Sequence, residues 1–157
     1  MAKALVVYSS EDVATRWAAE EIASGIARAG RVVTTVVGVE ELMAERVQAS
    51  DIVVLGTPAS ARAALREMRH LEEILPPGIL DRKMVSVFDA GPVGRHGAGA
   101  RTLRETLARD DPGLHLAAPG ISVAVDNARH ELPEPELARC RQFGEHLAGI
   151  AAAHGST

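Results

Sequence analysis

Asp51-Ile52-Val53-Val54-Leu55-Gly56-Thr57 is an almost unbroken apolar run, and Pro58 closes it. A strand with one wet face alternates apolar and polar residues. A continuous Val/Ile/Leu run marks a strand covered on both faces, the habit of parallel sheets. Lys3-Ala4-Leu5-Val6-Val7-Tyr8 has the same character. Between these two lie a helical stretch over residues 12–29, with Val13, Trp17, Ala19, Ile22, Ala23 and Ile26 on one face, and Gly30 at a helix-stop position. A β-branched run over residues 31–37 and a short helical pattern over 39–47 follow. Beyond Pro58 the alternation continues: helix 60–75, strand 83–89, helix 100–109, a fifth strand within 114–125 around Pro119-Gly120, and a final helix over 135–153. Strands separated by helices must run parallel through right-handed crossovers. The expected fold is α/β, a doubly wound five-stranded parallel sheet, with residues 1–157 forming one domain.

The composition is that of a soluble globular chain: 157 residues, 46% hydrophobic, 24% charged, 17 Lys+Arg against 21 Asp+Glu. Global disorder is excluded by this apolar content. A net charge of −4 gives no general attraction to nucleic acid. Cys140 is the only cysteine, so no intrachain disulfide can form, which suits a reducing compartment. No run of about 20 apolar residues suggests a membrane span. The start of the chain is too short in apolar character for a signal peptide, so a cytoplasmic protein is expected. Aromatic residues are scarce at 3%, namely Tyr8, Trp17, Phe88 and Phe143.

In open α/β sheets, ligands bind at the carboxyl ends of the strands, where strand order reverses. Three loops should meet there. The first holds Ser9, Ser10 and Thr15 at the start of a helix, where hydroxyls and free N–H groups suit a phosphate. Ser10 or Asp12 as a simple helix cap explains the same residues, and Glu11 and Asp12 would repel an anion. The second loop is Gly56-Thr57-Pro58-Ala59-Ser60, which also reads as a turn with a cap. The third, Asp89-Ala90-Gly91-Pro92-Val93-Gly94-Arg95-His96-Gly97-Ala98-Gly99, is glycine-rich enough for close backbone approach to a ligand, and equally suits a surface loop. It is not a dinucleotide fingerprint, because Thr102 stands where the last glycine would be.

Taken with the preceding strand, Ser10 and Thr15 resemble the first and last hydroxyl residues of the phosphate loop of flavodoxin-like proteins. The glycine of that loop is Val13 here. Gly56-Thr57-Pro58 is similar to the family's second loop, with Ala59 and Ala61 where an aromatic commonly flanks the flavin. The Phe88–Gly99 stretch resembles the third loop, most nearly that of the group including protoporphyrinogen-oxidase-like proteins. The resemblance implies strand order 2-1-3-4-5, FMN as cofactor, and electron or hydride transfer. A quinone-like or aromatic substrate would suit an open flavin face. It assigns cofactor contacts to Ser9, Ser10, Thr15, Pro58, Ala59, Ser60, Asp89, Gly91, Gly94 and His96. The partner would be a small molecule or a redox protein, and the Ala-rich helices permit a homodimer. The alternative is a flavin-free scaffold of the same fold, acting as a binding or interaction module.

Other chemistries find no support. A phosphoacceptor receiver domain needs an Asp where Gly56-Thr57-Pro58 ends the third strand. The six histidines show no metal-ligand spacing. Neither a nucleophile elbow nor a P-loop is present. Cys140 lies mid-helix and reads as buried and inert. Arg62, Arg66 and Arg69 read as a solvated helix face, with Arg62 within reach of an anion at the second loop.

Overall fold

The computed structural model describes residues 2–9, 12–117, 120–126, 128–129 and 131–155. The strands are β1 (Ala2–Tyr8), β2 (Val32–Gly38), β3 (Ile52–Pro58), β4 (Met84–Pro92), β5 (His115–Leu116) and β6 (Ile121–Val125). The helices are α1 (Val13–Arg28), α2 (Ala44–Gln48), α3 (Ala61–Ile74), α4 (Ala98–Asp110) and α5 (Glu134–Gly155). All pairings are parallel, in the order β2-β1-β3-β4-β5, with β6 also on β4. That is the order and the parallel sheet expected from the sequence.

The fifth sheet position departs from a simple strand. β5 and β6 both pair with the edge of β4 left free by β3. Between the pairs Val85–Leu116 and Phe88–Ile121, β4 advances three residues and its neighbour five. Ala117 N still donates to Val85 O at 2.8 Å. Gly120 then takes φ 92°, and a Cβ there would lie 2.7 Å from Val87 O. Only glycine suits both conditions.

Alternation of side chains along the strands builds one core on each face. On one face Ala4, Val6, Ile52, Val54, Phe88 and Ala90 pack under α1 and α5. On the other, Leu5, Val7, Val53, Leu55, Val85 and Val87 pack under α3 and α4, with Leu42 and Val47 at the edge. The helix expected over 39–47 is instead a 3-10 turn, Val39–Glu41, followed by α2.

The buried stripe of α1 is Ala14, Thr15, Ala18, Ala19, Ile22, Ala23, Gly25 and Ile26. Val13 and Trp17, placed on that stripe from the sequence, face outward. Most of that stripe is small, and the helix lies close to both sheet and α5. A Cβ on Gly25 would overlap the Arg141 carbonyl, and one on Gly144 would overlap the Ile22 carbonyl. Phe88 is fully buried, with its ring over Gly56, where a Cβ would overlap it.

Candidate functional site

The chain passes from β1 to β2 on one side and returns to β3 on the other, so strand order reverses at β1 and β3. At their carboxyl ends, Ser9 N donates to Gly56 O at 3.1 Å, carrying the ladder one residue beyond β1. Ser9 is buried. Ser10 and Glu11 lie outside the described residues. Asp12 is the N-cap of α1, and its Oδ1 accepts from Ala14 N at 3.0 Å. That carboxylate satisfies one of the orphan N–H groups of the first turn and complements its positive end. Thr15, one residue further, is fully buried, and its Oγ1 has no partner among the described residues. A buried hydroxyl at a helix start without a partner is uncommon, because leaving it unpaired is costly.

The second loop is fixed by its neighbours. Ser60 caps α3, its Oγ accepting from Ala63 N at 3.0 Å. Ala59 is buried, and its carbonyl accepts from Gly99 N at 2.6 Å. A Cβ on Gly91 would overlap Ala59 Cβ, and one on Gly99 would overlap Pro58 O. The glycines expected to approach a ligand thus serve, at Gly91 and Gly99, to bring the second and third loops together. Thr57 Oγ1 is buried beneath this contact and also lacks a partner among the described residues.

Asp89 belongs to β4, which runs three residues past its expected end. Its fully buried carboxylate accepts from Gly97 N at 2.9 and 3.2 Å and from Ala100 N at 2.8 Å. Gly97 is the N-cap of α4 and has no side chain to cap with. Asp89 does that work from the adjacent strand. Burial raises its pKa, opposed by hydrogen bonds from Ala100 N, Ser122 and Gly97 N and by the charge of His96. Its role is to hold the glycine loop onto α4.

Gly94 and His96 stand apart from the crevice. Arg95 N donates to Pro92 O at 2.9 Å, turning the loop, and Gly94 takes φ 82°. Both residues line a cavity of about 440 Å³ against Gly120, Ile121 and Ser122 of the β6 edge. β6 lies on the far side of β4 from β3 and β1. The sequence-derived site residues therefore divide. Ser9, Thr15, Pro58, Ala59, Ser60 and Gly91 gather around β1 and β3. Gly94 and His96 face the outer edge, and Asp89 is enclosed between them.

Thr57 and the arginines lining the outer cavity were missed from the sequence. The available signal was Arg101 and Arg104, three apart on one helix face, after Arg95 in the glycine loop. Cys140 is fully buried, and burial first, then the charge of Glu136, pushes its thiol up to about 12. No group of three or more His, Cys, Asp or Glu among the described residues could hold a metal ion. No helix among them is long and apolar enough to cross a membrane.

No protein-family model matches the chain, and no curated protein matches it by sequence. Its architecture has clear counterparts among solved structures. A flavodoxin from the domain Archaea superposes with a TM-score of 0.79 at 19% identity, covering 94% of this chain and 97% of that one. The fold is that of the flavodoxins. Oxidised flavodoxin 1 from Bacillus cereus matches with a TM-score of 0.72 at 18% identity, over 94% of this chain and 98% of its own. The flavodoxin-like fold also recurs inside a larger protein. Rubredoxin oxygen:oxidoreductase from Desulfovibrio gigas matches at 0.77 and 16% identity over 99% of this chain, which spans 37% of that one.

Proposed function

We propose that this flavodoxin-like domain binds FMN at the β1–β3 crevice and serves electron or hydride transfer. The observation that carries the proposal is Thr15. Its buried hydroxyl sits without a partner among the described residues, in the helix turn where a phosphate would need a donor. Ser9 and Ser10 flank that turn in sequence. Pro58, Ala59, Ser60 and Gly91 form the wall against which the ring would rest. FMN, when bound, supplies the redox chemistry, and the chain supplies position and electrostatics.

None of Ser9–Thr15, Pro58–Ala61 or Gly91–Gly99 contributes a Phe, Tyr or Trp. A flavin held without flanking rings keeps a face open. That favours reaction with a quinone-like or aromatic molecule that stacks on it, with a redox protein as the other partner class. The competing reading is a flavin-free scaffold of the same fold. Asp12 favours it, since its carboxylate already occupies the first turn of α1.

One titration separates the two. FMN fluorescence is followed as protein is added, and the visible spectrum of the purified protein is recorded. Binding in the micromolar range, weakened about tenfold or more by Thr15→Val, supports the flavin reading. A colourless protein that leaves FMN fluorescence unquenched at about 50 µM refutes it.

A further inference from the structure

We infer that the free edge of β2 is a docking surface for a second copy of this chain, the two β2 strands pairing antiparallel across a twofold axis. An open sheet ends in two edge strands, each with a row of backbone groups that template further pairing. The two edges here are treated differently. At the β6 edge, side chains of α5 close the row: Ala124 N donates to Glu136 Oε1 at 3.1 Å, and Ser122 O accepts from Arg139 Nη1 at 3.2 Å. At the other edge, β2 packs on β1 and α1 alone among the strands and helices it closely contacts. The side-chain bond on its backbone is its own, Thr34 Oγ1 donating to Val32 O at 3.4 Å, long for a hydroxyl.

Protected edges are short, or carry a charge or a proline. The strand Val32-Val33-Thr34-Thr35-Val36-Val37-Gly38 has neither, and every residue but the glycine is β-branched. Such residues are the ones that pair most readily. Val33 is 51% exposed although its neighbours in the sheet are covered.

The charges at the two ends of β2 specify the occupant. Between Ile22 and Val39 the only charged residues are Arg28 and Arg31, both exposed at the start of the strand. Glu40 and Glu41 stand exposed just past its end. Lys3 and Arg46 border Val33 and Thr35 and add to the cationic end, where Asp51 accepts from Lys3 N. Arg16 on α1 is paired with Glu20 and lies within electrostatic reach of Glu41. Arg31 and Glu40 have no ion pair among the described residues. Antiparallel pairing centred on Thr35 sets Val33 opposite Val37 and Thr34 opposite Val36, and keeps each side chain on its own face of the sheet. It also brings Arg31 of each copy beside Glu40 of the other. Parallel pairing would set cation against cation. The antiparallel contact is self-complementary and closes at two chains.

The test is sedimentation velocity of the purified protein over a concentration series. A reversible shift from one chain of 16.6 kDa to two is expected. Val33→Lys places a charge on an exposed edge position, so it should fold normally by circular dichroism and weaken association about tenfold or more. Arg31→Glu and Glu40→Arg should each weaken association, and the two together in one chain should restore it. Thr35→Cys faces its own counterpart across the axis, about 4.5–5.5 Å away between Cα atoms, so mild oxidation should link two copies. Leu65→Cys, exposed on α3, should link far more slowly, and Cys140 is buried. A single chain at every concentration up to about 500 µM overturns the inference. So does a dimer that survives Val33→Lys, one that ignores both single charge reversals, or one in which Thr35→Cys links no faster than Leu65→Cys.

Discussion

Replacing Asp89 by alanine removes the acceptor of three backbone contacts: two from Gly97 N and one from Ala100 N. Hydrogen bonds to a charged acceptor are worth about 1.5–3 kcal/mol each, so two stranded donors suggest a loss of about 3–6 kcal/mol. Two effects reduce that figure. Gly97 is only half-buried, so water can replace part of its bond. The raised pKa of Asp89 means that burying its charge costs more than the hydrogen bonds return. The net expectation is about 2 kcal/mol at neutral pH, read by urea denaturation followed by far-ultraviolet circular dichroism.

The pH dependence gives the sharper test. A carboxyl whose folded pKa lies above its ordinary value of 3.8 binds its proton more tightly in the fold. Its stabilising contribution is greatest below that value and declines as pH rises toward the folded pKa. The stability gap between wild type and Asp89→Ala should therefore narrow as pH climbs out of the ordinary carboxylate range, then level off. A gap that widens with rising pH would mean that the hydrogen bonds outweigh burial, and the reasoning would be refuted.

Other consequences follow from single contacts. Gly144→Ala drives a Cβ into the Ile22 carbonyl and should cost about 3 kcal/mol, lowering Tm by roughly 6–12 °C. Gly149→Ala, on the exposed side of the same helix with no atom within 4 Å, should instead raise stability by about 0.5–1 kcal/mol. Asp12→Ser keeps a capping oxygen on α1 but removes a negative charge, so stability should hold within about 0.5 kcal/mol while FMN affinity rises. Unchanged affinity would place the phosphate elsewhere. Cys140 should resist thiol reagents at pH 8 in the native protein and react fully in denaturant, as expected of a buried thiol pushed up to about 12.

The sheet was legible because its signals are local. The apolar runs at Leu5–Val7 and Ile52–Leu55, and the glycines and prolines after the strands, carry strand type and crossover within a few residues each, whereas the strand order rests on the resemblance to flavodoxin-like proteins. The face of α1 was misjudged because Val13 and Trp17 are large and apolar, whereas the stripe facing sheet and α5 is set by the close approach at Gly25 and carries Ala14, Ala18, Ile22 and Ile26. Asp89 read as a ligand residue because a charged side chain in a glycine-rich stretch invites it. Its true partners lie eight and eleven positions away, and only the register of β4 against α4 brings them together. The change of register between β5 and β6 hid behind Pro119-Gly120, which marked a blurred boundary without saying that the neighbour of β4 advances five residues where β4 advances three.

The crossing of α1 and α5 through Gly25 and Gly144 also constrains the order of assembly. These helices stand near opposite ends of the sequence, and each places a carbonyl where the other has no side chain. A nascent chain can pair β1 with β3 and cover one face with α3 and α4 while the other face still waits for α5. Until that helix is synthesised, Ala18, Ile22 and Ile26 remain uncovered on one side. This interval is when a growing chain would most need a chaperone, and when α5 of a neighbouring copy could dock in place of its own.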